Sequence, residues 1–263
     1  MAPVPAALAA YVTSLVTYDV DLGAPGVHRG LPSTTLTVVL PVGEPLDVGW
    51  ADGRGRQRRW STVSGLHAGP AAIHHHGTQK GIQLGLSTVG ARALLGASAA
   101  ELRGELIELE EVASDLSDLP ERIAGLSSEE GLAVVARALA GALARNGDAA
   151  PRAEVGQALA GLTRGRRVAE VAEEVGYSRR RLSTLVRQET GLAPKEYQRV
   201  ARFETSRAMV GRRPLAEVAA ACGYADQAHL AREWVELAGC PPSVWVREEF
   251  PFLQDVETAG AAG

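Results

Sequence analysis

Lysine occurs only twice in the 263 residues, as Lys80 and Lys195, and cysteine only twice, as Cys222 and Cys240. Apolar runs of the roughly 18 residues needed to cross a bilayer are missing, which excludes helical membrane spans. The mildly apolar stretch from Pro5 to Val16 has no basic region before it and does not read as a signal peptide. Nothing argues for export, so the cytoplasm is the default. Two cysteines cannot make a disulfide scaffold. A reduced core pair is the better reading than a disulfide. The sequence also lacks a glycine-rich phosphate loop with lysine, a nucleophile elbow and an HExxH zinc motif, so no enzyme, cofactor or metal site is expected.

With lysine scarce, 25 of the 27 basic residues are arginine. Coding bias is the plain cause, since alanine and glycine are abundant too. The net charge of −4 hides a division. Pro151 to Phe250 holds 16 basic and 13 acidic residues; the remainder holds 11 and 18. A basic segment joined to an acidic one suggests a nucleic-acid module beside something else.

The first part reads as β structure. "TTLTVVLPVG" (Thr35 to Gly43), "RQRRWSTVSG" and "GIQLGLSTVG" are short runs between glycines, and Asp52-Gly53 and His76-Gly77 are turn signals. The pattern predicts a β-barrel or sandwich up to about Val89. Ser98–Glu101 and Ser127–Glu130 have the spacing of capping boxes that open helices. The helix from about Ser128 to Arg145 would carry Leu132, Val135, Leu139 and Leu143 on one stripe, against its own barrel or against a partner in a homodimer. The boundaries expected are an N-terminal domain 1–147, a linker 148–153, a helical domain 154–250 and a tail 251–263. The fold class is therefore α+β with two domains.

The helical part contains a repeat. "VAEVAEEVGYSRRRLSTLVRQETG" from Val168 returns as "LAEVAAACGYADQAHLAREWVELAG" from Leu215. The offset is 47 up to Tyr177 and Tyr224; Ala225 is one extra residue, and the offset is then 48. Cys222 and Cys240 align with Val175 and Leu192. Each copy is a short helix, a glycine turn and a second helix, capped by Ser178 or Asp226. This is the grammar of a helix-turn-helix whose second helix enters the major groove of double-stranded DNA. An array of helix pairs that binds protein is the competing reading; only two copies and the arginines speak against it. In the first copy Leu182, Leu185 and Val186 point inward, leaving Arg180, Thr184 and Arg187 outward, with Ser183 and Arg181 beside them. The equivalent stripe in the second copy is Ala228, Arg232 and Val235, flanked by His229 and Ala231. Arginines and hydroxyls in this placement can reach base edges and phosphates.

Pro151 to Glu249 resembles the DNA-binding domain of the AraC/XylS family of transcription regulators. The second copy, with Gly223-Tyr224, Asp226-Gln227, His229-Leu230, Arg232 and Gly239 before Pro241-Pro242, carries the most specific likeness. The resemblance implies a long helix from Pro194 to about Val210 between the units and two recognition helices in successive major-groove segments. It places base contacts at Arg180, Ser183 and Thr184, and at Ala228, His229, Ala231 and Arg232. The DNA-binding set expected is Arg179, Arg180, Arg181, Ser183, Thr184, Arg187, Gln227, His229 and Arg232. Ser206 stands where the family often has alanine, a departure expected to change little. The first 150 residues are similar in layout to the family's cupin-like sensor and dimerisation halves, which implies a small-molecule effector without saying which residues bind it; a DNA-binding regulator that works without an effector is the alternative. RNA polymerase is a possible partner through the acidic second unit. Members that join this domain to a catalytic cysteine are excluded, because the first 221 residues contain none.

Three features of the first half invite chemistry. His74 and His76 share a strand face and could ligate a metal, though no carboxylate or cysteine stands nearby in sequence; a polar strand end is the simpler reading. "RGRQRR", Arg54 to Arg59, could bind an anion, but a solvated hairpin tip after Asp52-Gly53 is simpler. Trp50, Trp60 and Tyr11 could line a pocket or, more simply, fill the core.

Overall fold

The computed structural model describes residues 4–146 and 153–248. The tail from 251 lies outside the described residues, as does the expected linker except Ala153, which opens a helix.

Alternating and β-branched runs become nine strands: β1 (Val12–Asp21), β2 (Gly26–Gly30), β3 (Leu36–Pro41), β4 (Leu46–Trp50), β5 (Gln57–Arg59), β6 (Thr62–Ser64), β7 (Ala71–His75), β8 (Thr78–Leu86) and β9 (Leu106–Ile107). They form two antiparallel sheets, ordered β1-β8-β3-β6-β9 and β2-β7-β4-β5. The His76-Gly77 turn carries the chain from one sheet to the other, with Gly77 at φ 119°, a value that favours glycine. The face of β3 with Leu36, Val38 and Leu40 belongs to the large core, while Val39 packs with Leu46, Val48 and Ala71 of the second sheet. The first sheet is thus covered on both sides, by helices and by the second sheet, and β8 is buried from Gly81 onward.

The helices of this half are α1 (Thr88–Gly90), α2 (Leu119–Ile123) and α3 (Ser128–Asn146). Ser127 and Glu130 close their box, with the Ser127 amide donating to the Glu130 carboxylate at 3.0 Å, and α3 follows. Ser98 and Glu101 make the same exchange at 2.7 Å but open only a run of turns. That expectation was incorrect: the chain leaves the helix path at once, through Gly104 at φ 70°, to reach β9. On α3 the buried residues are Gly131, Val135, Leu139 and Ala142, with Leu132 and Leu143 half-buried. Their neighbours are α2, the turn of helix at Ala91–Leu95 and β1. The stripe therefore belongs to the chain's own core. Leu139→Glu would bury a charge there.

Residues 153–248 form helices joined by short turns: α4 (Ala153–Thr163), α5 (Val168–Glu174), α6 (Arg179–Thr190), α7 (Pro194–Arg207), α8 (Leu215–Ala221), α9 (Gln227–Ala238) and α10 (Pro242–Glu248). The repeat is exact in length: α5 and α8 have 7 residues, α6 and α9 have 12. Gly176 and Gly223 make the turns at φ 71° and 74°. Gly191 and Gly239 end α6 and α9 in the left-handed conformation.

The two units pack differently. Leu182, Leu185, Val186 and Val200 join the apolar core that begins in the first sheet. The second unit has its own cluster around Trp234, Phe203 and Trp245, to which the N-terminal half contributes Leu31. Polar contacts also cross between the halves. Glu204 on α7 accepts from Ser33 Oγ at 2.7 Å, Thr34 N at 3.1 Å and Thr34 Oγ1 at 2.8 Å. Arg92 meets Glu189 at 3.4 Å, Arg103 meets Glu196 at 3.0 Å, and Arg29 pairs with Glu248.

Candidate nucleic-acid interface

Helix α6 starts where Ser178 accepts the Arg181 amide at 3.2 Å. Leu182, Leu185 and Val186 fix one face in the core, which turns Arg179, Arg180, Arg181, Thr184 and Arg187 to solvent and leaves Ser183 half-buried. Among the described residues these four guanidinium groups have no carboxylate partner. Thr184 Oγ1 donates to the Arg180 carbonyl at 3.1 Å, so outward it offers a methyl group and a lone pair rather than a proton.

Three arginines near α6 are tied down. Arg202 makes two hydrogen bonds to Glu233, at 3.1 and 2.6 Å, and its guanidinium sits 4.7 Å over the Tyr224 ring. Arg199 reaches Glu233 at 3.1 Å and also pairs with Glu236. Arg166 pairs with Glu174. Arg164, Arg212 and Arg213 are exposed and have no ion pair among the described residues, so they add free charge to that of α6.

Helix α9 presents Gln227, Ala228, Arg232 and Val235, the last 46% exposed. Asp226 caps it, accepting the His229 amide at 2.6 Å. His229 is half-buried, edge-on to Tyr224 at 5.3 Å, and its Nδ1 accepts the Ala225 amide at 3.2 Å. The ring thus satisfies the backbone of the one inserted residue, and Nε2 carries the proton that could still meet DNA. Most carboxylates of this unit have partners within the protein: Asp226 is a cap, Glu233 and Glu236 hold Arg199 and Arg202, and Glu248 holds Arg29. Asp226, Glu236 and Glu248 remain exposed, and the exposed Glu217 has no ion pair among the described residues.

Ser206, read from sequence as a neutral departure, is fully buried; its Oγ donates to the Phe203 carbonyl at 2.7 Å and accepts the Trp234 indole N–H at 2.9 Å. Alanine there would strand the indole N–H in the core. Glu204, not singled out from sequence, is found only through its long-range partners. Cys222 and Cys240 are free thiols, and burial raises both above the usual thiol range.

In the sheet-rich half, His74 is half-buried, His75 buried and His76 exposed. His75 faces His28 with ring centroids 5.8 Å apart. Burial first, and then the neighbouring His75, lower His28 to about 3. Burial also lowers His75. No group of three or more His, Cys, Asp or Glu placed for a metal occurs among the described residues. Three of the four arginines of the Arg54–Arg59 cluster are paired within the protein: Arg54 with Asp52, Arg56 with Asp47 at 3.0 Å, and Arg59 with Glu111 at 3.2 Å. Trp50 is half-buried edge-on to His67, and Tyr11 is half-buried, but Trp60 is 51% exposed, so the core reading fails for it.

Paired seven- and twelve-residue helices around a glycine turn, repeated with arginines on one outer face, define a helix-turn-helix DNA-binding domain. The family described as "Helix-turn-helix domain" matches residues 155–248. Residues 155–248 form a helix-turn-helix domain of the AraC type. No curated protein matches the sequence. Among solved structures the chain is similar to ToxT from Vibrio cholerae, at 11% identity over 89% of this chain and 98% of that one, with a TM-score of 0.54. The structure of unsaturated fatty acid bound wild-type ToxT, from strain SCE256 of the same organism, gives 11% identity over 96% of this chain and 99% of that one, with a TM-score of 0.52. The two-domain fold is shared. No helix among the described residues is long and apolar enough to cross a membrane.

Proposed function

We propose that the chain binds a specific, asymmetric site on double-stranded DNA through α6 and α9, under control of a small molecule acting on the sheet-rich half. One observation carries the reading: α6 projects Arg179, Arg180, Arg181 and Arg187 into solvent unpaired, while Arg166, Arg199 and Arg202 nearby are held by carboxylates. In this reading Arg180, Ser183, Thr184 and Arg187 meet base edges and backbone in one groove segment; Gln227, His229 and Arg232 serve the next, with Ala228 and Val235 beside them for thymine methyls. Arg179 and Arg181 neutralise phosphates. The units differ in sequence, so one chain reads an asymmetric site rather than a palindrome.

Effector control is supported by the cavities of the sheet-rich half, by its hydrogen bonds to α7, and by the fatty acid bound in a neighbour of the same fold. The domains are taken to meet between 147 and 153. The location is the cytoplasm, where a DNA-binding regulator would act. A homodimer would need a face other than the α3 stripe. The test is a selection of bound sequences from random DNA, followed by titration of Arg180→Ala. A selected motif whose preference relaxes at one position in that variant supports the reading; equal loss on selected and random DNA reduces Arg180 to a phosphate contact, and the absence of any motif removes sequence specificity.

A further inference from the structure

Between the end of β3, the Trp60 turn and α2 lies a cavity of about 450 Å³. Its walls combine three things seldom left open together. Trp60 presents an indole that is 51% exposed although packing space is available beside it. Val42 and Pro120 give an apolar floor, and Glu108, Glu110 and Glu121 bring carboxylates to the lining. Glu108 is committed, accepting the Ser61 amide at 3.0 Å and the Ser61 hydroxyl at 2.6 Å. Glu110 and Glu121 have no hydrogen bond or ion pair among the described residues, and no basic side chain lines the cavity. Arg59, next to Trp60 in the chain, is turned to Glu111 at 3.2 Å and Glu108 at 3.9 Å.

An aromatic face beside uncompensated carboxylates attracts a cation and repels an anion. The apolar floor favours one with hydrocarbon substituents over a hydrated metal ion, and the described residues offer no metal-ligating cluster. We propose that this cavity binds an organic cation, an ammonium group carrying apolar or aromatic substituents, with the charge between Trp60 and the Glu110/Glu121 pair. A carboxylic acid such as a fatty acid does not fit these walls, so the site is separate from any that takes an acid.

The test uses the full chain without DNA, so its outcome does not depend on the effector reading. The probe is (1-naphthylmethyl)trimethylammonium, titrated by calorimetry, with 1-naphthoate as the control of opposite charge. One saturable site is expected for the cation, weakened about 10-fold by Trp60→Ala and by Glu110→Gln/Glu121→Gln, with naphthoate at least about 10-fold weaker. No saturation by about 5 mM, equal binding of naphthoate, or an affinity unchanged in the double glutamine variant overturns it. The two glutamates are exposed, so the double variant should melt with the wild type and decide the matter even if Trp60→Ala disturbs the fold.

Discussion

Helices α5–α6 and α8–α9 have the same lengths and both turn at a left-handed glycine, and they differ in what their surfaces keep free. The first unit leaves four guanidinium groups of its recognition helix unpaired and merges its core with the sheet-rich half. The second exposes one arginine on α9, spends its carboxylates on Arg199, Arg202 and Arg29, and closes around its own tryptophan cluster. A duplicated frame can therefore be kept while charge and packing are divided: one copy keeps the arginines of its second helix free, and the other is braced to the first by α7.

The comparison can be broken at its cores first. Leu182 and Leu230 are equivalent and almost fully buried, 1% and 0% exposed. Either change to alanine should cost roughly 2–5 kcal/mol. Hydrogen exchange should show Leu182→Ala lowering protection in the first unit and the sheet-rich half together, and Leu230→Ala lowering it mainly in α8–α10. Matching exchange patterns would mean that the two cores unfold as one.

On DNA, Arg180→Ala should cost roughly 1–3 kcal/mol on the specific site. Arg179→Ala/Arg181→Ala should flatten the log–log salt slope by about 2, against about 1 at most for Arg232→Ala. Anisotropy titrations at several salt concentrations measure this, and a larger slope change for Arg232→Ala would reverse the roles of the units.

Ser206→Ala should destabilise the second unit by about 1–3 kcal/mol through the stranded indole N–H of Trp234. A denaturation midpoint equal to wild type would show that water or another group reaches that nitrogen. The smallest effect sharpens the contrast with the sheet-rich half. His28 is held at about 3 when folded and returns to the ordinary histidine range near 6.5 when unfolded. Below about 6.5 the unfolded state takes the proton first, so stability should fall as pH drops toward 3, by on the order of 1 kcal/mol per pH unit. Replacing His28 with an apolar residue of similar size should remove part of that slope, as read in melts from pH 7 to 5.

The repeat was legible because its signals are local: helix period, glycine at the turn, serine or aspartate at the cap. The extra residue Ala225 was legible as an offset, but the side chain that accommodates it was not, since His229 reads equally well as a DNA contact. The outward stripe of α6 followed from geometry alone. Ser206 and Glu204 were not legible, because their partners lie 28 and some 170 residues away and no periodicity records them. The α3 stripe was visible, yet its partner was not: an apolar face looks the same whether it meets its own sheet or a second chain. Trp60 was misjudged because aromatic residues are usually buried and the sequence gives no view of the cavity beside it.

The contact of Glu204 with the 33–34 turn has a thermodynamic consequence. Helix α7 sets how the two recognition helices stand to one another, and its carboxylate is clasped by a turn of the opposite half. If DNA and an effector each prefer a different state of that clasp, their affinities are coupled by one free energy, and the factor by which the effector changes DNA binding is the factor by which DNA changes effector binding. Weakening the clasp, as in Glu204→Gln, would then change that one factor, whichever of the two ligands is titrated in the presence of the other.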